Sequence, residues 1–137
     1  MRKLGYAVLG LGIGMAHAAA AAESENADLV AACDLDEARL AKFAALYPDA
    51  TLYTDVEDLF ADPRVDIISI CLPSAMHADF AVRAMEAGKH VLVEKPVDIT
   101  PERAQRIIEA RDRTGMKAGV VHQNRFNLLM YPIKEAV

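Results

Sequence analysis

Leu4-Gly5-Tyr6-Ala7-Val8-Leu9-Gly10-Leu11-Gly12-Ile13-Gly14 opens the chain with an apolar run that ends in three alternating glycines. A helical, alanine-rich run from Met15 to Glu23 follows directly. Strand, glycine turn and helix in immediate succession form the context that a dinucleotide fingerprint requires. Gly10 makes the tight turn, Gly12 lets the backbone approach a pyrophosphate, and the free N–H groups and dipole of the helix N-terminus favour the anion. The third small residue of G-x-G-x-x-G would fall on Met15, with Gly14 one place early. Two geometries fit: a turn one residue shorter than usual, or a helix packed slightly farther from the first strand. A glycine run by itself also fits a flexible turn, so the weight passes to the residues beyond it.

Leu29-Val30-Ala31-Ala32-Cys33 reads as a second strand, and Asp34 sits at its end, 22 residues beyond Gly12. That is close to the ~20 expected for a carboxylate that accepts hydrogen bonds from the adenosine ribose hydroxyls. Asp34 would also repel a 2′-phosphate. Leu35 and Asp36 follow with no arginine beside the carboxylate, so NAD is favoured over NADP. Asp36 reads as the N-cap of the next helix.

A second informative stretch is Gly88-Lys89-His90-Val91-Leu92-Val93-Glu94-Lys95-Pro96. Its short β-branched run, preceded by glycine and closed by proline, reads as a strand covered on both faces, as in parallel sheets. Open parallel sheets bind ligands at the carboxyl ends of their strands, where Glu94 and Lys95 arrive. A lysine there can donate a proton or orient a carbonyl. The plainer reading of the same residues is a surface lysine after an ordinary strand.

The remaining chain alternates in the same way. Apolar Leu40, Phe43, Ala44 and Tyr47 mark one face of a helix from Asp36 to Tyr47, and Pro48 ends it. Thr51–Tyr53 is a short strand, Asp55–Ala61 a brief capped helix and Asp66–Leu72 a fourth strand. A helix from about Ala75 to Ala87 stops at Gly88, and His90–Glu94 is the fifth strand. Thr100 caps a helix with Pro101 at its first position, running to about Arg113 before Gly115. Lys117–Gln123 is the sixth strand. Six strands alternating with helices describe an α/β fold, a doubly wound parallel sheet of the Rossmann type, expected in the order 3-2-1-4-5-6.

Composition is consistent with one such domain: 137 residues with 53% hydrophobic content support a single core. A net charge of −5 without a basic cluster argues against nucleic acid as a partner. No apolar run approaches the ~20 residues of a membrane helix, and the first nine residues read as strand rather than targeting signal. The expectation is a cytoplasmic protein with no membrane partner. Cys33 and Cys71 end the strands on either side of the first, roughly 9.6 Å apart by strand spacing, beyond the ~7 Å limit for a bridge. They read as free, buried thiols, and without a C-x-x-C pair no metal is expected.

With these elements in place the chain resembles the Gfo/Idh/MocA family of sugar and polyol oxidoreductases. The resemblance rests on Gly10-Leu11-Gly12 with His17, Cys33-Asp34, Pro73-Ser74-Ala75-Met76-His77, Ala87 through Pro96, and His122-Gln123-Asn124-Arg125-Phe126-Asn127. It implies an N-terminal NAD(P)-binding domain, here residues 1–127, with 128–137 starting a linker helix toward a C-terminal substrate domain absent from the chain. The implied reaction is reversible hydride transfer between the nicotinamide and a sugar or polyol carbon. Lys95 inherits the catalytic role beside the nicotinamide and the reacting hydroxyl, and Glu94 the nicotinamide ribose. Leu72, Pro73 and His77 line the adenosine and pyrophosphate side of the crevice. Pro96 is placed after a cis bond that aims the lysine. Gln123, Asn124 and Arg125 border the nicotinamide and substrate. The glycine-loop departure leaves open which of Ile13, Gly14 and Met15 supplies the pyrophosphate-facing amides.

The family's aspartate and histidine acid–base pair has no counterpart before Val137. The chain by itself is therefore expected to bind NAD and turn over sugar poorly or not at all, within a homo-oligomeric parent. The alternative is an NAD-binding or redox-sensing module without catalysis of its own, for which Lys95 is dispensable. Among the histidines, His17 reads as a packing or capping residue, His77 as a helix-start hydrogen bond to a neighbouring loop, His90 as structural, and His122 as facing either way.

Overall fold

A computed structural model of the chain describes residues 2–126. Its strands are β1 (Leu4–Leu9), β2 (Ala27–Cys33), β3 (Thr51–Tyr53), β4 (Ile67–Ile70), β5 (His90–Val93) and β6 (Ala118–Val120). Its helices are α1 (Gly14–Ala22), α2 (Glu37–Leu46), α3 (Val56–Ala61), α4 (His77–Glu86) and α5 (Pro101–Thr114). The strands form one parallel sheet in the order β3-β2-β1-β4-β5-β6, the doubly wound arrangement expected from the sequence.

Alternation along each strand divides the core between the two faces of the sheet. Ala7, Leu9, Ile68, Ile70, Val91 and Val93 meet α3, α4 and α5 on one face. Val8 and Ala32 meet Ala18 of α1 and Leu40 and Phe43 of α2 on the other. Each fully buried Ile, Leu or Phe in this packing contributes on the order of 1.5–3 kcal/mol over an exposed one. The strands are apolar on both sides because both sides are covered.

Local signals fix most boundaries. Asp36 caps α2 by accepting from the Ala38 and Arg39 amides, and Asp55 caps α3 through the Glu57 amide. Thr100 accepts from Arg103 N, Pro101 opens α5, and Gly115 closes it at φ +73°. Several boundaries differ from the sequence expectation: β2 starts at Ala27 rather than Leu29, and β4 spans Ile67–Ile70 rather than Asp66–Leu72. The helix expected from Ala75 divides into a 3-10 turn, Ser74–Met76, and α4 proper from His77. Met76 has no capping side chain; the cap comes from Asp98, whose carboxylate accepts from Ala78 N at 2.7 Å. The sixth strand stops at Val120 rather than Gln123, and Gln123–Phe126 is a 3-10 turn. β6 is an edge with one neighbour, and after Val121 N donates to Val93 O the polar His122-Gln123-Asn124 has no apolar face to bury. The expected linker helix over 128–137 lies outside the described residues.

Candidate functional site

Register aligns Cys33, Leu9, Ile70, Val93 and Val120 across the sheet. The residues immediately after them, Asp34, Gly10, Cys71, Glu94 and Val121, therefore form one continuous carboxyl edge. Parallel strands ~4.8 Å apart put Asp34 and Glu94 three strand spacings from each other, with the glycine turn between them.

In that turn Gly10 has φ +92°, and a Cβ there would lie 2.7 Å from Cys71 O. Gly14 is buried, and a Cβ on it would meet Val8 Cγ1 at 2.5 Å and Cys71 Cβ at 3.3 Å. Of the two geometries open to the sequence, the structure therefore has the shortened turn. Helix α1 starts at Gly14 itself, which does the close-packing work of the third glycine. The Leu11 amide donates to Asp34 Oδ2 at 2.7 Å and the Met15 amide to Gly12 O at 3.4 Å. Among the described residues the amides of Gly12, Ile13 and Gly14 have no partner, and Gly12 and Ile13 are exposed. This is a helix N-terminus with free donors beside an open glycine, which fits a pyrophosphate. Met15 drops out of the set: its amide turns back to Gly12 and its side chain packs on the α1–α2 side of the core.

Asp34 uses both oxygens internally, Oδ2 on Leu11 N and Oδ1 on Asp36 N at 2.9 Å, so it braces the glycine turn against the start of α2. Each carboxylate oxygen retains accepting capacity. No arginine adjoins Asp34 along the sequence, but the fold brings one beside it, contrary to the expectation from sequence. The first turn of α2 carries Arg39 back to 3.6 Å from Asp34 and 3.4 Å from Asp36. One guanidinium between two carboxylates still leaves this corner net negative. Beside it opens a cleft of about 610 Å³, walled by Gly10, Asp34, Leu35, Leu72, Pro73 and Met76. Cys33 and Cys71 also line the cleft, as free and largely buried thiols. Burial, with Asp34 and then Asp55 and Asp58 adding to it, pushes the Cys33 thiol up to about 11. Burial likewise pushes Cys71 up to about 11, against a Ser69 hydrogen bond and helped by the Glu94 charge. Both are protonated fillers rather than nucleophiles.

At the other end of the edge Glu94 is buried and Lys95 is exposed, and the Lys95–Pro96 peptide is cis, as the sequence led one to expect. Glu94 N donates to Ile70 O, while Glu94 Oε2 accepts from Lys95 N at 3.0 Å. The loop that follows is held from α4. His77, 1% exposed, places Nδ1 2.8 Å from Pro96 O and Nε2 2.8 Å from Leu72 O. It links the two loops, the helix-start role read from the sequence, but no ring nitrogen remains for a ligand, so it stands behind Leu72 and Pro73 rather than in the cleft. Asp98 ties the same loop to Ala78 N, Ile99 N and Arg103 Nε. Burial would raise its carboxyl, yet those amides and the guanidinium outweigh it and hold it below the usual carboxylate range.

His17 is not the packing or capping residue that the sequence suggested. Its Nε2 lies 2.9 Å from Glu94 Oε1 and its Nδ1 2.6 Å from Ser69 Oγ. A signal was available: Ser69 interrupts the run Ile67-Ile68-Ser69-Ile70 at a fully covered position. Asp98 and Arg39 carried no such signal, because their partners are distant or depend on a helical turn. His90 Nδ1 accepts from Lys117 N, a structural role as read. His122, Gln123, Asn124 and Arg125 are exposed beyond β6. Among the described residues no three His, Cys, Asp or Glu side chains group as metal ligands, and no helix is long and apolar enough to cross a membrane.

Residues 4–122 match the Gfo/Idh/MocA family, described as an oxidoreductase family with an NAD-binding Rossmann fold. Inositol 2-dehydrogenase of Salmonella typhimurium is 35% identical over 119 residues, covering 84% of this chain and 34% of its own length. The chain superposes on the WlbA dehydrogenase of Bordetella pertussis, solved with NADH and UDP-GlcNAcA, with a TM-score of 0.92 and 31% identity, over 98% of this chain and 42% of that one. A NADPH-dependent oxidoreductase from Desulfitobacterium hafniense, named as putative, superposes with a TM-score of 0.89 and 30% identity, over 100% of this chain and 40% of that one. The chain spans about a quarter to a third of the length of the curated relatives it matches.

Proposed function

Because the chain belongs to the Gfo/Idh/MocA oxidoreductases through its NAD-binding Rossmann domain, we propose that it is the nucleotide-binding part of a cytosolic, homo-oligomeric dehydrogenase. This enzyme oxidises a sugar or polyol hydroxyl carbon with NAD. Residues 1–127 form the dinucleotide domain, and 128–137 lead toward the domain that shapes the substrate site. When bound, the nicotinamide takes or returns the hydride.

The residues divide the work along the edge. The free amides of Gly12, Ile13 and Gly14 hold the pyrophosphate, with Gly10 shaping the turn. Asp34 accepts from the adenosine ribose hydroxyls, and two carboxylates around Arg39 disfavour a 2′-phosphate, so NAD is the better fit. Leu35, 87% exposed on the cleft wall, and Leu72 and Pro73 offer apolar surface to the adenine. Glu94 and Gln123 border the nicotinamide end. Lys95, exposed just past β5, holds or delivers the proton of the reacting hydroxyl oxygen.

The observation that carries this reading is the convergence of the amide cradle, Asp34 and Lys95 on one edge of one sheet. NADH fluorescence titration of the chain is expected to show saturable binding. In the enzyme extended by its downstream domain, Lys95→Ala is expected to lower turnover by about 10²–10⁴-fold with NADH affinity retained, the size of a lost general acid–base group. Unchanged turnover in that variant would take Lys95 out of the catalytic role, and NADH binding with no turnover in the extended wild-type protein would show instead a sensor that reads NADH without chemistry.

A further inference from the structure

We propose that His17 is a positioning residue for the Glu94-Lys95 corner, acting through a buried polar chain from Ser69 on β4 through His17 on α1 to Glu94. The inference rests on the dehydrogenase reading above for its catalytic consequence, and on geometry alone for the contact.

The direction of the chain follows from donor and acceptor inventory. A carboxylate only accepts, so His17 Nε2 carries the proton and donates to Glu94 Oε1 at 2.9 Å. In the neutral ring Nδ1 then accepts, and the Ser69 hydroxyl donates to it at 2.6 Å. Ser69 Oγ is left as acceptor toward Cys71 Sγ, 3.5 Å away. At the far end the second oxygen of Glu94 accepts the Lys95 amide at 3.0 Å. Every buried side-chain polar atom among the described residues is satisfied, so the chain is closed rather than half made.

Stability does not call for such a chain. Ser69 is fully buried, and the side chains of His17 and Glu94 are 11% and 9% exposed. Hydrogen bonds at such sites mostly return what desolvation costs, and an apolar trio would pack α1 on β4 as well. What the polar chain adds is direction. It pins one oxygen of Glu94 from the helix that also presents the pyrophosphate cradle, and the other oxygen pins the backbone of Lys95. The cradle and the lysine are thereby held in fixed relation through α1, although they lie at separate places on the edge.

The test reads the contact and its consequence separately. In the chain without cofactor, hydrogen exchange at the Lys95 amide is expected to speed up by about tenfold or more in both His17→Ala and Ser69→Ala. The His17 ring is expected to show a protonated Nε2 by ¹⁵N chemical shift. In the extended enzyme, His17→Ala is expected to lower kcat by about ten- to a hundredfold, as a displaced catalytic group does, with the Kd for NADH within about threefold. His17→Gln, whose amide can donate to Glu94, is expected to recover most of that loss. Unchanged Lys95 exchange in Ser69→Ala overturns the proposal, and that variant serves even if His17→Ala fails to fold. So does a kcat of the wild-type size in His17→Ala when Lys95→Ala is inactive, or a loss that falls equally on kcat and NADH affinity. Full turnover in Lys95→Ala removes the catalytic role of the lysine instead, no turnover in the extended wild-type enzyme sinks the dehydrogenase reading, and in either case the exchange data still judge the contact.

Discussion

At Gly14 one hydrogen in place of a side chain sets how closely the first helix approaches the first strand. A Cβ there would press on Val8 Cγ1 at 2.5 Å and Cys71 Cβ at 3.3 Å, both fully or nearly fully buried, so neither neighbour has free space to retreat into. Gly14→Ala is therefore expected to cost about 1–3 kcal/mol, read as a shift in the denaturant midpoint. Because the same displacement moves the free amides of Ile13 and Gly14, NADH affinity is expected to fall as well, read by fluorescence titration. Asp34 shows the complementary case of a side chain with two duties, since it braces the glycine turn through Leu11 N while facing the cleft. Its removal would loosen the cradle as well as the ribose contact.

Between elements, the start of α4 is the telling example. Its own sequence offers no capping side chain at Met76, and the missing acceptor is Asp98, twenty residues beyond the Ala78 amide it caps, in the loop after Lys95. Arg103 from α5 completes the junction by reaching Asp98, Asp79 and Ala75 O together. Asp98→Ala removes the acceptor of Ala78 N and leaves a guanidinium that is still paired to Asp79. The expected loss is about 2–3 kcal/mol, below the ~3–5 kcal/mol of a fully isolated buried pair, and thermal unfolding measures it. Asp98→Asn, which keeps an acceptor, is expected to lose less. His77 reinforces the same junction by linking Leu72 O to Pro96 O. The loop bearing the lysine is thus fastened to α4 and α5 on one side of the sheet and to α1 on the other.

For the molecule as a whole, pH acts through carboxylates held below their ordinary range. The hydrogen bonds of Arg64, outweighing burial, lower Asp62 to about 2, helped by the Tyr53 hydroxyl. Asp66, Asp79 and Asp98 are lowered in the same direction. A carboxyl whose folded value lies below its unfolded one contributes stability that is complete above the unfolded value and lost as pH falls through the folded one. Stability is therefore expected to decline as pH falls from about 4 toward about 2, with Asp62 contributing on the order of 1–2 kcal/mol once its half-exposed partner is discounted for screening. Asp62→Asn is expected to flatten that part of the curve in acid-dependent denaturation. Much of this molecule was legible in one dimension. Strand runs, the Thr100-Pro101 start and Gly115 stop of α5, the sheet order and the glycine turn follow from local periodicity, capping and backbone sterics, which act over a few residues. Asp34 and Lys95 were legible too, because parallel strands deliver whatever follows them to one edge. Arg39 reaches Asp34 through the first turn of α2, but the short turn at Gly14, the Asp98 cap and the Ser69-His17-Glu94 chain were decided only when the sheet closed and the helices docked. Those contacts join residues up to 77 positions apart, and a hydrogen bond at that separation depends on a three-dimensional distance that no run of neighbouring residues encodes.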